Sequence, residues 1–369
     1  MDNRPFDFPK ARQAEKEETM IGKIAVLGLA LSLAALPVAA QESAITGLNN
    51  PRLLAYGADG TLYIAEAGLA GDQQAEGDMG PVQYGPTARV MSVAPGSTEA
   101  EVAVDGLISA VGFNNYLGVN AVLPTEDGWW LVLGNAPAVD GVRTTGLVQF
   151  NTDGEEVRFI DFAAIEEELN PDNDFVASNP IDIDVSENGT YYVIDASGNA
   201  IYTFTDDTEP EVLHVWEDLP VPTAVDVGPD GNIYVSFLSA FPFASGSARV
   251  EQWSPEGELV ATYDGLTGVT DVTVADDGTL YAVEMATVFG DMGWTANDGR
   301  VIVLSEDGMA TVAEGLNYPY GIAISPEGML AVSVNSAFVE PGTGEVIWLD
   351  PAAVGDMEAV APVETEEAS

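Results

Sequence analysis

Six times along the chain a short apolar segment runs into an acidic residue or Asn followed by Gly, and then into a second apolar segment. The instances are LLAYGADGTLYIAE, NAVLPTEDGWWLVLG, DIDVSENGTYYVID, AVDVGPDGNIYVSF, DVTVADDGTLYAVE and GIAISPEGMLAVSV. The turn glycines are Gly60, Gly128, Gly189, Gly231, Gly278 and Gly328. A turn of this kind between alternating apolar runs is a hairpin signal, because Gly accepts the positive φ that a tight reversal demands. Aromatic and β-branched residues after each turn favour strand over helix.

A third strand follows each hairpin: ARVMSVAP, TGLVQFNT, NAIYTFTD, ARVEQWSP, GRVIVLSE and GEVIWLDP. Five units add a fourth, EAEVAVDGL, EEVRFIDF, PEVLHVWED, ELVATYDGL and MATVAEGL. The sixth lacks one, and ESAITGL (Glu42 to Leu48) at the start of the domain has the form of the missing strand. The pattern predicts an all-β chain: a six-bladed β-propeller with four antiparallel strands per blade. Its last blade is closed by the N-terminal strand, which removes exposed sheet edges. One helix is predicted, over Phe162 to Asn173, ending near Pro171.

Outside residues 41–354 the pattern changes. Ile24 to Val38 is a small, apolar run after Lys23, followed by Val38-Ala39-Ala40-Gln41, which reads as a secretory signal cleaved near Ala40-Gln41. Residues 1–19 are a polar prefix with no signal character, so Met20 reads as the start and 20–40 as the signal peptide. Residues 355–369 form a Glu-rich tail expected to be disordered. An exported protein is expected, periplasmic or extracellular, with no membrane span after cleavage.

Charge narrows the partners. The chain has 60 acidic and 11 basic residues, a formal net charge of −49; beyond Ala40 there are 55 acids, six arginines and no lysine. Such a surface repels nucleic acid and anionic lipid. The acids are spread along the chain, as in a solvated surface. There is no Cys, so neither disulfides nor a lipid-anchored cysteine contribute. The single His214 leaves no common zinc ligand set and no Ser-His-Asp triad near a channel.

The units SNPIDIDVSENGTYYVIDASGNAIYTF, PTAVDVGPDGNIYVSFLSAFPFASGSARV and GVTDVTVADDGTLYAVE, with the opening LNNPRLLAYGADGTLYIAEAG, resemble the ScyD/ScyE family of NHL-like propellers over nearly all of residues 44–350. Its more specific mark is the FPF loop before an Ala-Arg-Val strand. The resemblance implies a propeller, with a name taken from a pigment gene cluster rather than from an activity. Where the family commonly has an acid before the FPF loop, this chain has Phe237.

Propeller chemistry is expected where each innermost strand begins, eight residues before each turn glycine: Arg52, Asn120, Ile181, Thr223, Thr270 and Tyr320. Similar six-bladed lactonases hold a metal there through a Glu, two Asn and an Asp. Here only Asn120 is of that type, and Arg52 opposes a cation. Asp182 and Asp271, one residue further on, are weak metal candidates beside Asn120; calcium is the ion such oxygens would admit, and no cofactor is assigned. Six residues after the turn glycines stand Glu66, Asp195 and Glu284; Glu66–Arg89 and Glu284–Arg300 are expected to pair within their blades. The loops between second and third strands, Ala67 to Thr87 the first of them, and the segment Gly106 to Val119 beside them carry Tyr84, Phe113, Tyr116, Phe241, Phe243, Phe289, Trp294 and Phe338. With Arg52, Asn120, Thr223, Thr270 and Tyr320, they form the expected ligand-binding set, and Phe241, Phe243 and Trp294 are its leading aromatic members. The expected function is a noncatalytic scaffold that binds a small molecule or exported protein on the loop face. The alternative is an enzyme at the channel mouth, either a metal-assisted hydrolase or lactonase or an enzyme of scytonemin-like secondary-metabolite assembly.

Overall fold

The computed structural model describes residues 43–355, apart from 78–79, 113–114, 137–142 and 307. The expected start, signal peptide and acidic tail fall outside these residues, save Gly355.

The strands form antiparallel sheets that follow the repeat. Blade two runs Val119–Thr125, Gly128–Leu133, Gly146–Asn151 and Glu156–Asp161. Blade three runs Pro180–Val185, Tyr191–Asp195, Ala200–Phe204 and Glu211–Val215. Blade four runs Pro222–Val227, Ile233–Phe237, Ala248–Trp253 and Leu259–Leu266. Blade five runs Val269–Val274, Leu280–Glu284, Gly299–Ser305 and Gly308–Leu316. Blade six has Ile322–Ile324, Leu330–Val334 and Gly344–Leu349, and takes Ser43–Leu48 as its outer strand, antiparallel to Gly344–Leu349.

Blade one departs from the reading of the sequence. Its inner pair is Pro51–Tyr56 and Leu62–Glu66, but its outer strands are long, Gly80–Val93 and Glu101–Gly112. They are extended by Gln73–Gly77 and Asn115–Leu117. Two segments read as loops, 67–87 and 106–119, are therefore largely paired ribbon. The polar run Gln73-Gln74-Ala75-Glu76 has no apolar alternation, because the ribbon rises off the core.

The ring follows from packing between sheets. Each innermost strand touches the next, from Pro51–Tyr56 through Val119–Thr125 and onward to Ile322–Ile324, which touches Pro51–Tyr56 again. A separate apolar layer lies between each adjacent pair of blades: Trp130 and Tyr202 between two and three, Ile233 and Ile194 between three and four, Ile302 and Ala248 between four and five. Val301 and Val332 lie between five and six, Ile45 and Ile64 between six and one, and Leu131 and Val90 between one and two. Alternate residues of a strand face opposite neighbours, so each blade buries both faces and must be apolar on both.

The turn glycines adopt the positive φ that the pattern demanded, Gly60 and Gly189 both at +82°. Gly128 differs: at φ +142° it begins a strand, and a Cβ there would stand 1.9 Å from the Phe150 carbonyl oxygen. The single α-helix among the described residues, Phe162–Leu169, is shorter than expected. Asn170 caps it in the left-handed region, because the residue before Pro171 is disfavoured in α conformation.

Candidate functional site

The expected ring of channel-mouth residues is built, but its side chains face neighbouring blades. Asn120 Nδ2 donates to the Pro180 carbonyl at 2.9 Å, Thr223 Oγ1 to Val269 O at 2.9 Å, and Thr270 Oγ1 to Tyr320 O at 2.8 Å. All three are buried. Arg52, from blade one, is 3% exposed and lies 4.6 Å over the Tyr320 ring of blade six. It donates to Asn115 Oδ1 at 3.0 Å and Tyr116 O at 2.5 Å, while burial pulls its pKa down. Arg52 therefore caps the loop end of the channel, a correction to its expected place on a ligand surface. Ile181 is core.

A cavity of about 670 Å³ opens at the opposite end, where the inner strands run into their hairpin turns. One side is acidic: Asp182 and Asp184 of blade three, Asp226 of blade four and Asp271 of blade five. The other side is Leu53, Ala55, Ala121, Leu123 and Ile324. Each acid accepts a backbone N–H from the next blade: Val225 N to Asp182 at 2.9 Å, Val227 N to Asp184 at 2.7 Å, Val274 N to Asp226 at 2.6 Å and Ile322 N to Asp271 at 2.7 Å. Burial pushes Asp182 up to about 7 and Asp184 and Asp271 well above the carboxylate range; Asp226 is raised for the same reason. Asp184 and Asp226 face each other electrostatically, and the proximity of Asp226 adds to the rise at Asp184. Asp182, Asp271 and Asn120 thus tie blades together instead of converging on an ion. Among the described residues no three His, Cys, Asp or Glu side chains form a group able to hold a metal.

The in-blade pairs join Arg89 to Glu66 and Arg300 to Glu284, and both acids are fully buried. Each acid also accepts the backbone N–H entering its blade, Asn49 N to Glu66 and Thr267 N to Glu284, both at 2.6 Å. Asp195 receives Asn179 N in the same way at 2.8 Å. In blade four, where Phe237 replaces the acid, the Arg249 guanidinium stacks 4.6 Å over the Phe237 ring and bonds Asp218 and Glu251. His214 packs between Trp216 and Trp253, and burial lowers its pKa.

On the loop face the aromatics of blades four and five gather. Phe243, Phe289 and Trp294 pack with centroids 5.0–5.4 Å apart, and Phe241 stands 5.8 Å from Phe243. Gly268 makes room: a Cβ there would lie 2.7 Å from the Trp294 ring. Phe241 is 77% exposed and Met292 99%. Tyr318 carries the stripe onward, donating to Trp294 O at 2.9 Å and packing 5.6 Å from Phe338 of blade six. Phe338, Tyr116, Asn317 and Asn335 border a hollow of about 500 Å³. Of the other expected loop aromatics, Tyr84 is buried against Ala110 and Ala136, and Phe113 lies outside the described residues.

No protein-family pattern and no curated sequence matches the chain. Solved structures do. A gluconolactonase from Xanthomonas campestris aligns at 13% identity over 84% of this chain and 89% of its own, with TM-score 0.51. The calcium-binding protein regucalcin from Agrobacterium tumefaciens aligns at 12% identity over 85% and 94%, TM-score 0.51. A protein of unknown function from Bacteroides thetaiotaomicron aligns at 13% identity over 82% and 70%, TM-score 0.53. The chain is a β-propeller. At these identities the likeness extends to the fold and no further, so the propeller's function rests on its own residues.

Proposed function

We propose that this propeller is an exported scaffold of the ScyD/ScyE type that binds a small, planar, largely apolar molecule on its loop face. The observation that carries the reading is the aromatic stripe from Phe241 to Phe338, exposed at one end and bordering a hollow of ligand size at the other. Exposed rings held by a rigid ring of sheets offer contact area at little entropic cost. The paired amides Asn317 and Asn335, joined at 2.8 Å, supply the polar groups that would orient a ligand. The acidic composition, with no lysine beyond Ala40, supports a partner other than nucleic acid or anionic lipid.

The enzyme reading retains one favourable observation, the neighbouring carboxyls of Asp184 and Asp226 in an open cavity, both with pKa raised by burial. A paired carboxylate of this kind suits general acid–base work in a hydrolase or lactonase. Against it, Asp184 and Asp226 also hold backbone N–H groups of blades four and five, so movement toward a substrate would break the ring ties.

Titration of the protein with the neutral planar dye Nile red tests the binding reading. Phe241→Ser, at an exposed site, and Phe338→Ser should each weaken uptake about tenfold, near the 1.4 kcal/mol of one stacked ring. Asp226→Asn should bind as the parent does. Unchanged uptake in both Phe variants would refute the placement of the site.

A further inference from the structure

Between the helix of blade two and the sheet of blade three lies a group of acidic side chains that the loop-face reading does not use. Glu166, on the helix, is 1% exposed, and neither of its carboxylate oxygens has a hydrogen-bond partner. Asn170 Oδ1, one turn further on, is also buried without a partner, as is the Tyr202 hydroxyl. Asp172 and Asp195 both act electrostatically on Glu166 and on Tyr202. Asp195 is saturated, accepting Asn179 N, Ser197 N, Gly198 N and the Ser178 hydroxyl. Asp172 accepts Asn199 Nδ2 at 3.0 Å and the Asp174 N–H at 3.0 Å.

Among the described residues no cationic side chain is paired with this cluster. The six arginines beyond Ala40 have their partners elsewhere: Arg52 at Asn115, Arg89 at Glu66, Arg143 at Glu156, Arg158 at Glu209, Arg249 at Asp218 and Arg300 at Glu284. Lysine is absent from this part of the chain, and His214 is enclosed by tryptophans. A buried carboxylate with neither hydrogen bond nor countercharge is costly.

The chain nevertheless keeps space for the cluster. Gly198 has no positive φ to require glycine, yet a Cβ there would stand 3.1 Å from Glu166 Oε2 and 3.3 Å from Asp195 Cγ. The loop that leaves the helix reads Asn170-Pro171-Asp172-Asn173-Asp174, with a side-chain oxygen at every position but Pro171. Calcium loops likewise present several oxygen ligands from a short stretch of chain.

We infer that Glu166, Asn170 and Asp172 form a binding site for one calcium ion. Glu166 offers two oxygens, Asn170 Oδ1 one and Asp172 one, with water completing the shell. The Tyr202 hydroxyl lines the site and Asp195 adds negative charge without ligating. All donors are hard oxygens, a set that favours calcium, whose shell of six to eight tolerates mixed amide and carboxylate ligands. Only two of the three ligands are acids, consistent with the absence of any three-acid metal group among the described residues.

The test uses the full chain with calcium chloride, magnesium chloride as contrast, and terbium as a luminescent substitute. Calcium should raise the melting temperature, and terbium emission excited through the nearby tyrosine and tryptophan should be displaced by calcium but not by magnesium. Glu166→Gln and, separately, Asn170→Ala should weaken calcium binding at least tenfold, while Asp182→Asn in the channel retains it. Asn170 is partly exposed, so its variant remains informative should the buried substitution fold poorly. The assignment is overturned by no calcium binding up to about 10 mM, above the range of extracellular calcium modules. Parental affinity in both site variants overturns it too, as does loss of binding in Asp182→Asn.

Discussion

The two sides of the central channel solve one problem with different chemistry. Along blades three to five, carboxylates reach across to the backbone N–H of the next inner strand. Along blades six, one and two the equivalent positions are apolar or small: Leu53 and Ala121 stand where blades three and five have Asp182 and Asp271. There the blades are joined near the loop end, by Asn120 to Pro180 O and by Ser333 Oγ, on the second strand of blade six, to Arg52 O at 2.9 Å. Thr223 and Thr270 also join blades four to six in this way. Neighbouring inner strands are thus held by buried, hydrogen-bonded carboxyls on one side, and by packing with neutral hydrogen bonds on the other. A row of acids in a channel is consequently no evidence of a metal or an active site until their lone pairs are accounted for.

The contrast can be broken at its seam first. Removing Glu42 to Leu48 takes away Ile45 and Leu48, each 2% exposed, and leaves Gly344–Leu349 as an open edge. Two buried apolar side chains alone are worth about 3–6 kcal/mol, so the melting temperature should fall steeply; an unchanged curve would contradict closure by this strand. Next come the matched positions. Leu53→Ala should cost about 2–5 kcal/mol through the cavity it leaves. Asp271→Ala should cost less, about 1–3 kcal/mol, the penalty of leaving the Ile322 N–H of the next blade without an acceptor. Denaturant unfolding of both variants gives the ranking, and the reverse order would mean that the two sides are not held as described.

The propeller was legible because the hairpin recurs with the same period-two pattern, and because ESAITGL matches the outer strands it joins. The ribbon of blade one was not, since Gln73–Gly77 pairs through backbone groups while its side chains stay polar. The aromatic stripe could be read from the sequence as a set of loop residues, but the linking role of Tyr318 could not. For the channel acids the type of residue was visible and the partner was not: the donors are backbone N–H groups 43 to 51 residues away, which every residue except proline possesses. Glu166 was one of three successive glutamates, and only the missing Cβ of Gly198, in another blade, distinguishes it.

The central claim is that the channel carboxylates are structural ties, which leaves ligand binding to the loop face. Asp182 carries it most directly, because burial raises its pKa to about 7, above the roughly 3.9 of an unfolded Asp. The folded state then holds the proton more tightly than the unfolded one, so this contribution to stability is complete below about pH 4 and is lost as pH rises toward 7. Comparing the pH dependence of the melting temperature in the parent and in Asp182→Asn isolates it from the general acidic repulsion, which both proteins share. The account predicts that the parent loses stability more steeply than Asp182→Asn between about pH 4 and 7. Parallel profiles, or a steeper loss in the variant, would contradict it.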